Sequence, residues 1–362
     1  MIQFRKKIDS QCPKVRFRTR KLLTSKIRRA IRWEFWPMSV FYVPIVVYIL
    51  WLSLKHRGLS FLSVNPGFIM SGLVGENKAH TLKQLNGSEY LAKFDIITQA
   101  ESSEQRVIHA QQFMSEQKLV YPVVLKPDFG QRGQDVAVIR SDQQLQQYLD
   151  SIKGDVLIQE HIEGEEFGVF YIRYPNEEQG EIFSITEKTF PILIGDGVSS
   201  LEKLILNHPR THFMAHYLLE LHKDTANMVL ADGQKFKVVE IGSHCRGSVF
   251  LDGNKNITTE LTHTLDYLSN KIEGFYFGRY DIRVPDSASL KQGHSLKVLE
   301  VNGVTSESTN IYDPSYSVID AYKILFKQWR VAFKIGNQNI QNGVSKVSVI
   351  GFFSYLKATY FT

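Results

Sequence analysis

Two short segments near the C-terminal end constrain this chain most. FGRYDIRV (277–284) carries Asp281, and KVLEVNG (297–303) carries Glu300 and Asn302. Both alternate apolar and polar residues, the period of a half-buried β-strand. Glu300 and Asn302 are two apart, so a strand turns them to one face. If the first strand pairs beside the second, Asp281 joins them. Two carboxylates and one amide oxygen then form an all-oxygen site for a hard cation such as Mg2+. A hydrogen-bonded structural cluster is the competing interpretation of the same residues.

The remaining pattern predicts a mixed fold. Strands are expected over 59–64, 121–126, 136–139, 155–160, 165–174, 183–190 and 236–242. Helices are expected from Lys78 and over 105–117, 142–152, 212–224, 259–272 and 317–333. Strict βαβ alternation is missing, which predicts an α+β architecture. The chain divides into a basic arm (1–32), an apolar segment (33–57), a reduced region (58–120), a main domain (121–335) and a tail (336–362).

Charge is unevenly placed. Residues 1–32 hold twelve Lys and Arg against the single acid Asp9, which leaves 31 basic and 36 acidic residues in the remainder. The body is mildly acidic, which argues against a nucleic-acid groove there. The arm suits an anionic membrane surface or a polyanion, with a solvated, disordered tail as the competing interpretation. The two cysteines, Cys12 and Cys245, suggest neither a disulfide framework nor a cysteine metal site, and fit a reducing compartment.

WEFWPMSVFYVPIVVYILWLSL (33–54) is long enough to span a hydrocarbon core, which needs about 20 apolar residues. Trp33, Trp36, Tyr42, Tyr48 and Trp51 are types favoured at membrane interfaces. Glu34, Pro37 and Pro44 interrupt the segment, and both flanks are basic. A straight crossing, with the basic arm held in the cytoplasm, would put the whole body outside the cell. The expectation is therefore a peripheral or monotopic segment on the cytoplasmic face of a membrane, with a docking helix as the alternative.

Lys126 closes the apolar strand VVLK, and PDFGQRGQDV follows with Gly130 and Gly133. Such a loop lets backbone N–H groups wrap phosphate oxygens. LIQEHIEGEEF (157–167) then sets Gln159, Glu160 and Ile162 on a link between strands, with Glu166 downstream. A link of this kind can present donors and acceptors to an adenine edge, and the carboxylate can hold ribose hydroxyls.

In this order the motifs resemble the ATP-grasp superfamily of carboxylate–amine ligases, and most of all its D-alanine–D-alanine ligase branch. The likeness covers about residues 75–330. It rests on ENKAHTL (76–82), VVLKPDFGQRGQDV, LIQEHIEGEEF, IGDGVSSLEKLI (194–205), FGRYDIR and LEVNG. The resemblance implies ATP and Mg2+, with Mn2+ as the alternative ion. It implies that Lys78 and Lys126 contact phosphates and adenine, and that the 130–135 loop closes over the β- and γ-phosphates. Glu160 and Ile162 would frame adenine, Glu166 would bind ribose, and Lys188 would be a further phosphate ligand. Asp281, Glu300 and Asn302 would hold the metal, and Arg279 would stabilise charge at the reacting carboxylate.

The implied reaction joins a small or peptide-like carboxylate to an amine through an acyl phosphate. A small-molecule kinase and a non-catalytic ATP-binding protein are the rivals. Two departures bear on the substrate. The α/β domain that precedes the ATP lysine in that branch is reduced, and NGVTSESTNIYDP (302–314) replaces its usual loop with one containing Glu307 and Asp313. Arg246, in GSHCRGSVF (242–250), is a candidate for a substrate carboxylate or phosphate.

Overall fold

The computed structural model describes residues 2–73, 78–130 and 133–360, with the backbone alone for 2–16, 245 and 358–360. Its contacts divide it into two compact units, one of residues 1–43 and 189–249, the other of 44–188 and 250–362.

The helices are α1 (Ile2–Ile31), α2 (Met38–Phe41), α3 (Val43–Lys55), α4 (Lys78–Lys83), α5 (Ser103–Glu116), α6 (Asp142–Ser151), α7 (Leu201–Asn207), α8 (Ala215–Leu221), α9 (Thr259–Lys271), α10 (Ser287–Gln292), α11 (Val318–Gln341) and α12 (Val349–Tyr360). The strands are β1 (Phe94–Ile97), β2 (Val123–Pro127), β3 (Ala137–Ile139), β4 (Val156–Glu160), β5 (Glu165–Ile172), β6 (Glu181–Thr189), β7 (Ile192–Ile194), β8 (Lys235–Lys237), β9 (Val249–Asp252), β10 (Phe277–Val284) and β11 (Lys297–Asn302).

The larger unit holds two sheets. One has the order β1-β4-β2-β3, and the other β11-β10-β5-β6-β9. In the second, β10 lies antiparallel between β11 and β5, and β5 is antiparallel to β6. Helix starts follow local chemistry. Ser102 and Gln105 form a reciprocal capping box at α5, and Ser317 and Asp320 form one at α11. Leu145 and Leu149 of α6 pack with Phe113 of α5 on the first sheet, beside Val123, Leu125 and Ile158. α9 covers the second sheet through Leu261, Leu265 and Leu268, against Phe167, Val169, Tyr280 and Ile282.

A third apolar cluster joins Leu52 of α3, Phe61, Leu62 and Val64, and Val331, Ala332, Phe333 and Ile335 of α11. Here the expected strand at 59–64 is instead a 3-10 turn, Ser60–Ser63. The reason is close approach to α11. The Ser60 hydroxyl donates to the Phe333 carbonyl at 3.3 Å, and a Cβ on Gly336 would lie 1.8 Å from the Ser60 carbonyl oxygen. Asn339 Nδ2 donates to the carbonyls of Ser63 and Val64 at 2.9 and 3.0 Å. These backbone groups are satisfied by a helix, so no strand partner is required. The same packing explains why α11 runs to Gln341, beyond the expected end at 333.

The smaller unit packs Leu193, Leu201, Ile205, Met214, Leu218 and Val238 into one core, joined by Phe17 and Leu22 of α1 and by Phe35. The expected strand at 236–242 shrinks to β8, paired with β7. The expected helix at 212–224 splits into a 3-10 turn (Thr211–Met214) and α8.

The apolar stretch 33–54, expected as a peripheral or docking segment, is not one helix. It divides into a 3-10 turn at Trp33–Phe35, then α2 and α3. Pro37 precedes α2, and Pro44 sits in the first turn of α3, where its missing N–H costs nothing. The 13 residues of α3 rise about 20 Å, short of the ~30 Å hydrocarbon core. Among the described residues no helix is long and apolar enough to cross a membrane.

Candidate active site

The register of β10 and β11 sets the site. Asp281 lies opposite Glu300, and Arg279 opposite Asn302. Four polar side chains thus share one face of the edge strand β11 and its neighbour β10. On the other side Asp281 faces Gly168 of β5, where a Cβ would press on Arg279 Cδ at 3.1 Å and Asp281 Oδ1 at 3.3 Å. Glycine leaves the space those side chains occupy.

Charge is dense here. Arg279 Nε donates to Asp281 Oδ1 at 2.9 Å, and Lys188 Nζ reaches the same oxygen at 3.1 Å. Lys188 also donates to Glu166 Oε1 at 3.0 Å, while Arg283 holds Glu166 Oε2 through Nε at 3.2 Å and Nη2 at 3.0 Å. Burial alone would raise the pKa of Asp281, but Arg279 and Lys188 outweigh it and hold the carboxyl well below the usual range. Glu166 behaves alike, with burial opposed by Lys188 and Arg283 and the net shift downward. Burial would lower Lys188, and Asp281 and Glu166 raise it instead. All these groups are ionised near neutrality.

The two sheets meet at this face. Lys126, at the end of β2, donates to Gln159 Oε1 at 3.0 Å and to the Leu299 carbonyl of β11 at 3.0 Å. Gln159 Nε2 donates to the same carbonyl at 3.2 Å. Burial lowers the pKa of Lys126, with Glu300 acting in the opposite direction. Lys78 begins α4. It donates to the Gly130 carbonyl at 2.7 Å and stands 4.0 Å from Glu300 Oε1. Asp128 accepts the Ala79 N–H at 3.0 Å and anchors that helix start to the glycine loop. Lys78, Lys126, Lys188, Arg279 and Arg283 supply five cations against Glu166, Asp281 and Glu300, with Asp128 beneath. A face of this balance suits a polyanionic ligand.

The residues also fit a hard cation. Glu300 and Asn302 share the face with Asp281, whose Oδ2 accepts a long contact from Arg279 Nη2 at 3.4 Å. The Asn302 amide nitrogen is buried with no hydrogen-bond partner among the described residues. The Asn302 side-chain oxygen and the two carboxylates are the donor type a Mg2+ site takes.

The remaining sequence candidates divide clearly. Glu160 accepts the Lys93 N–H at 3.1 Å and gives its own N–H to the Lys93 carbonyl at 2.8 Å. Ile162 offers its carbonyl to Arg283 Nη1 at 2.5 Å. Gly133 has φ of 72°, the left-handed region glycine favours. Glu76 and Asn77 of the ENKAHTL motif, and Gln131 and Arg132 of the loop, lie outside the described residues. Arg246 belongs to the smaller unit, in a 3-10 turn at His244–Arg246. In that unit Glu34 pairs with Arg210 at 3.0 Å and His244 at 3.3 Å, contacts that outweigh burial and hold its pKa to about 2.

Arg283 escaped the sequence reading. It could have been found, since Arg279, Asp281 and Arg283 alternate on one face of β10. Glu307 is tied to the site through its carbonyl, which accepts from Arg279 Nη1 at 3.1 Å. Its carboxyl is lodged against Tyr312 at 3.1 Å, Oε1 is buried without a partner among the described residues, and burial pushes its pKa up to about 7.

Residues 79–172 match the RimK-like ATP-grasp domain. The chain resembles the ATP-grasp superfamily. The fold is α+β, as the sequence pattern predicts, and the ATP-grasp match lies within residues 79–172. Solved structures similar to this chain include the D-alanine–D-alanine ligase of Bacillus anthracis complexed with ATP, at 14% identity and a TM-score of 0.40 over 74% of this chain and 70% of that one. The D-alanine–D-alanine ligase of Coxiella burnetii matches at 8% identity and 0.42, over 80% and 64%. A bifunctional glutathione synthetase of Pasteurella multocida matches at 17% identity and 0.37 over 71% of this chain, which spans 36% of that enzyme's length. No curated protein matches in sequence.

Proposed function

We propose that this ATP-grasp chain is an ATP- and Mg-dependent ligase that joins a carboxylate to an amine. The observation that carries the proposal is the β10–β11 register, which sets Asp281 against Glu300 and Arg279 against Asn302. Lys126 reaches the same strand from the other sheet. A site for a tethered nucleotide needs cations at its phosphates and carboxylates at its metal ions, and this face supplies both.

The residues divide the work as follows. Lys78, Lys126 and Lys188 bind and orient phosphate oxygens. Asp281, Glu300 and Asn302 would hold Mg2+, which neutralises charge on those oxygens when bound. Arg279, fixed by Asp281 and the Glu307 carbonyl, presents its guanidinium where a substrate carboxylate gains or loses charge. In the first step a carboxylate oxygen bonds to the γ-phosphorus and ADP leaves. In the second the amine bonds to the acyl carbon, phosphate departs with the former carboxylate oxygen, and the amine loses a proton. Positioning supplies most of the acceleration.

The test is incubation of the full chain with ATP, Mg2+ and pooled carboxylic acids and amines, followed by mass spectrometry. ADP with a condensed amide product supports the proposal. A phosphorylated product without an amide identifies a kinase, and no ADP under any pool identifies a binding protein.

A further inference from the structure

The larger unit carries a second surface with no part in this chemistry. Between Pro44 and Leu73 there is no acidic residue, and after Asp320 there is none to the end of the chain. These two stretches hold eight basic residues, Lys55, Arg57, Lys323, Lys327, Arg330, Lys334, Lys346 and Lys357. Far apart in sequence, they meet in space. Leu52 of α3 and Val331 to Ile335 of α11 share one apolar cluster, and Phe352 of α12 packs on it. Lys346 Nζ donates to the Arg57 carbonyl at 2.6 Å, which ties the start of the last segment to the end of α3.

This end of the unit also displays apolar side chains. α3 buries Ile45 and Leu52 on one side and exposes Val46, Val47, Leu50, Trp51 and Leu54 on the opposite side. Leu54 is 80% exposed and Leu50 58%. That spacing of i, i+3 and i+4 forms one continuous stripe. α12 exposes Val349, Ile350 and Phe353, with Ile350 at 80%. Lys55 lies over the Trp51 ring at 5.2 Å, an aromatic and basic pairing of the kind found at lipid headgroups.

We infer that α3 and α12 dock this unit on an anionic lipid bilayer, lying in the interface rather than crossing it. Charge selects the occupant. A protein partner would need an acidic and apolar face of matching shape, whereas an anionic leaflet offers negative charge and hydrocarbon together without one. The length of α3 excludes a crossing. Lys323 keeps a 3.5 Å contact with Asp320, and Lys327 and Lys334 lie over Phe183 and Tyr174, so these three add long-range attraction more than direct headgroup contact.

Vesicle co-sedimentation of the full chain tests the inference, with phosphatidylglycerol and phosphatidylcholine in equal parts against phosphatidylcholine alone. Binding to the mixed vesicles only is expected. The double variant Leu50→Glu, Ile350→Glu should weaken it roughly tenfold or more, since it removes hydrocarbon contact and adds repulsion. Both side chains are exposed, so the melting temperature should hold; if it falls, Trp51→Ser with Phe353→Ser replaces the pair. Unchanged binding by these variants overturns the inference, because the basic arm alone would then carry the attraction. Binding to neither vesicle overturns it too, as does a self-associated species abolished by the same variants without any vesicle binding.

Discussion

Glu166→Gln is the perturbation that interrogates the buried charge network most sharply. Glu166 answers two cations, Lys188 at 3.0 Å and Arg283 at 3.0 and 3.2 Å, and is itself buried. Removing one partner of a buried ion pair costs about 3–5 kcal/mol. The structure reduces that figure here. Lys188 keeps Asp281 at 3.1 Å, Arg283 keeps the Ile162 carbonyl, and glutamine retains one acceptor oxygen. A loss of about 2–3 kcal/mol at pH 7 follows. Urea unfolding reads it as a midpoint about 1 M lower with the slope unchanged. A double-mutant cycle with Arg283→Met should return a coupling of about 1–3 kcal/mol.

The pH dependence has a definite sign. The folded pKa of Glu166 lies below its ordinary 4.5, so its contribution is fully present above that value and is lost as pH falls through the folded pKa. The gap between wild type and Glu166→Gln should therefore close in acid, not in base. A variant within about 0.5 kcal/mol of wild type at pH 7 would refute the reasoning, because a surface substitution does no more.

Other consequences follow from the same geometry. Glu300→Ala should lower Mg-dependent ATP turnover by about 100-fold or more while circular dichroism stays unchanged, since Glu300 is partly exposed and its ion pair with Lys78 is long, at 4.0 Å. Gly336→Val should destabilise by about 2–3 kcal/mol in thermal or urea unfolding, because a Cβ there meets the Ser60 carbonyl. Glu307→Gln should stabilise the fold by about 1–3 kcal/mol above pH 7 and do nothing below pH 4.5. Its raised pKa means that folding resists an ionisation the unfolded chain undergoes, and unfolding curves at the two pH values read the difference.

The part of the site built on strand alternation was legible in the sequence. A period of two forces Glu300 and Asn302 to one face, and only the pairing with β10 had to be supplied by the structure. Arg283 obeys the same period and could have been read with them. Lys188 could be placed on a strand, but only pairing of β6 with β5 sets it opposite Glu166. Short apolar runs failed for a different reason. Residues 59–64 suit a strand or a buried turn equally, and Gly336 on a distant helix decides between them. In the apolar run at 33–54 the interrupting prolines were visible in the sequence, and they set where helices could begin. The charge asymmetry of the last forty residues was visible in the sequence, but its meaning depended on α11 and α12 packing with α3.

Transfer of oxygen tests the central claim most directly. Carboxylate pools labelled with oxygen-18 are incubated with the chain, ATP, Mg2+ and amines, and the released inorganic phosphate is analysed by mass. An acyl-phosphate ligase moves one labelled oxygen from the carboxylate into each phosphate it releases. Phosphate without label, released alongside ADP and a condensed product, would contradict the account.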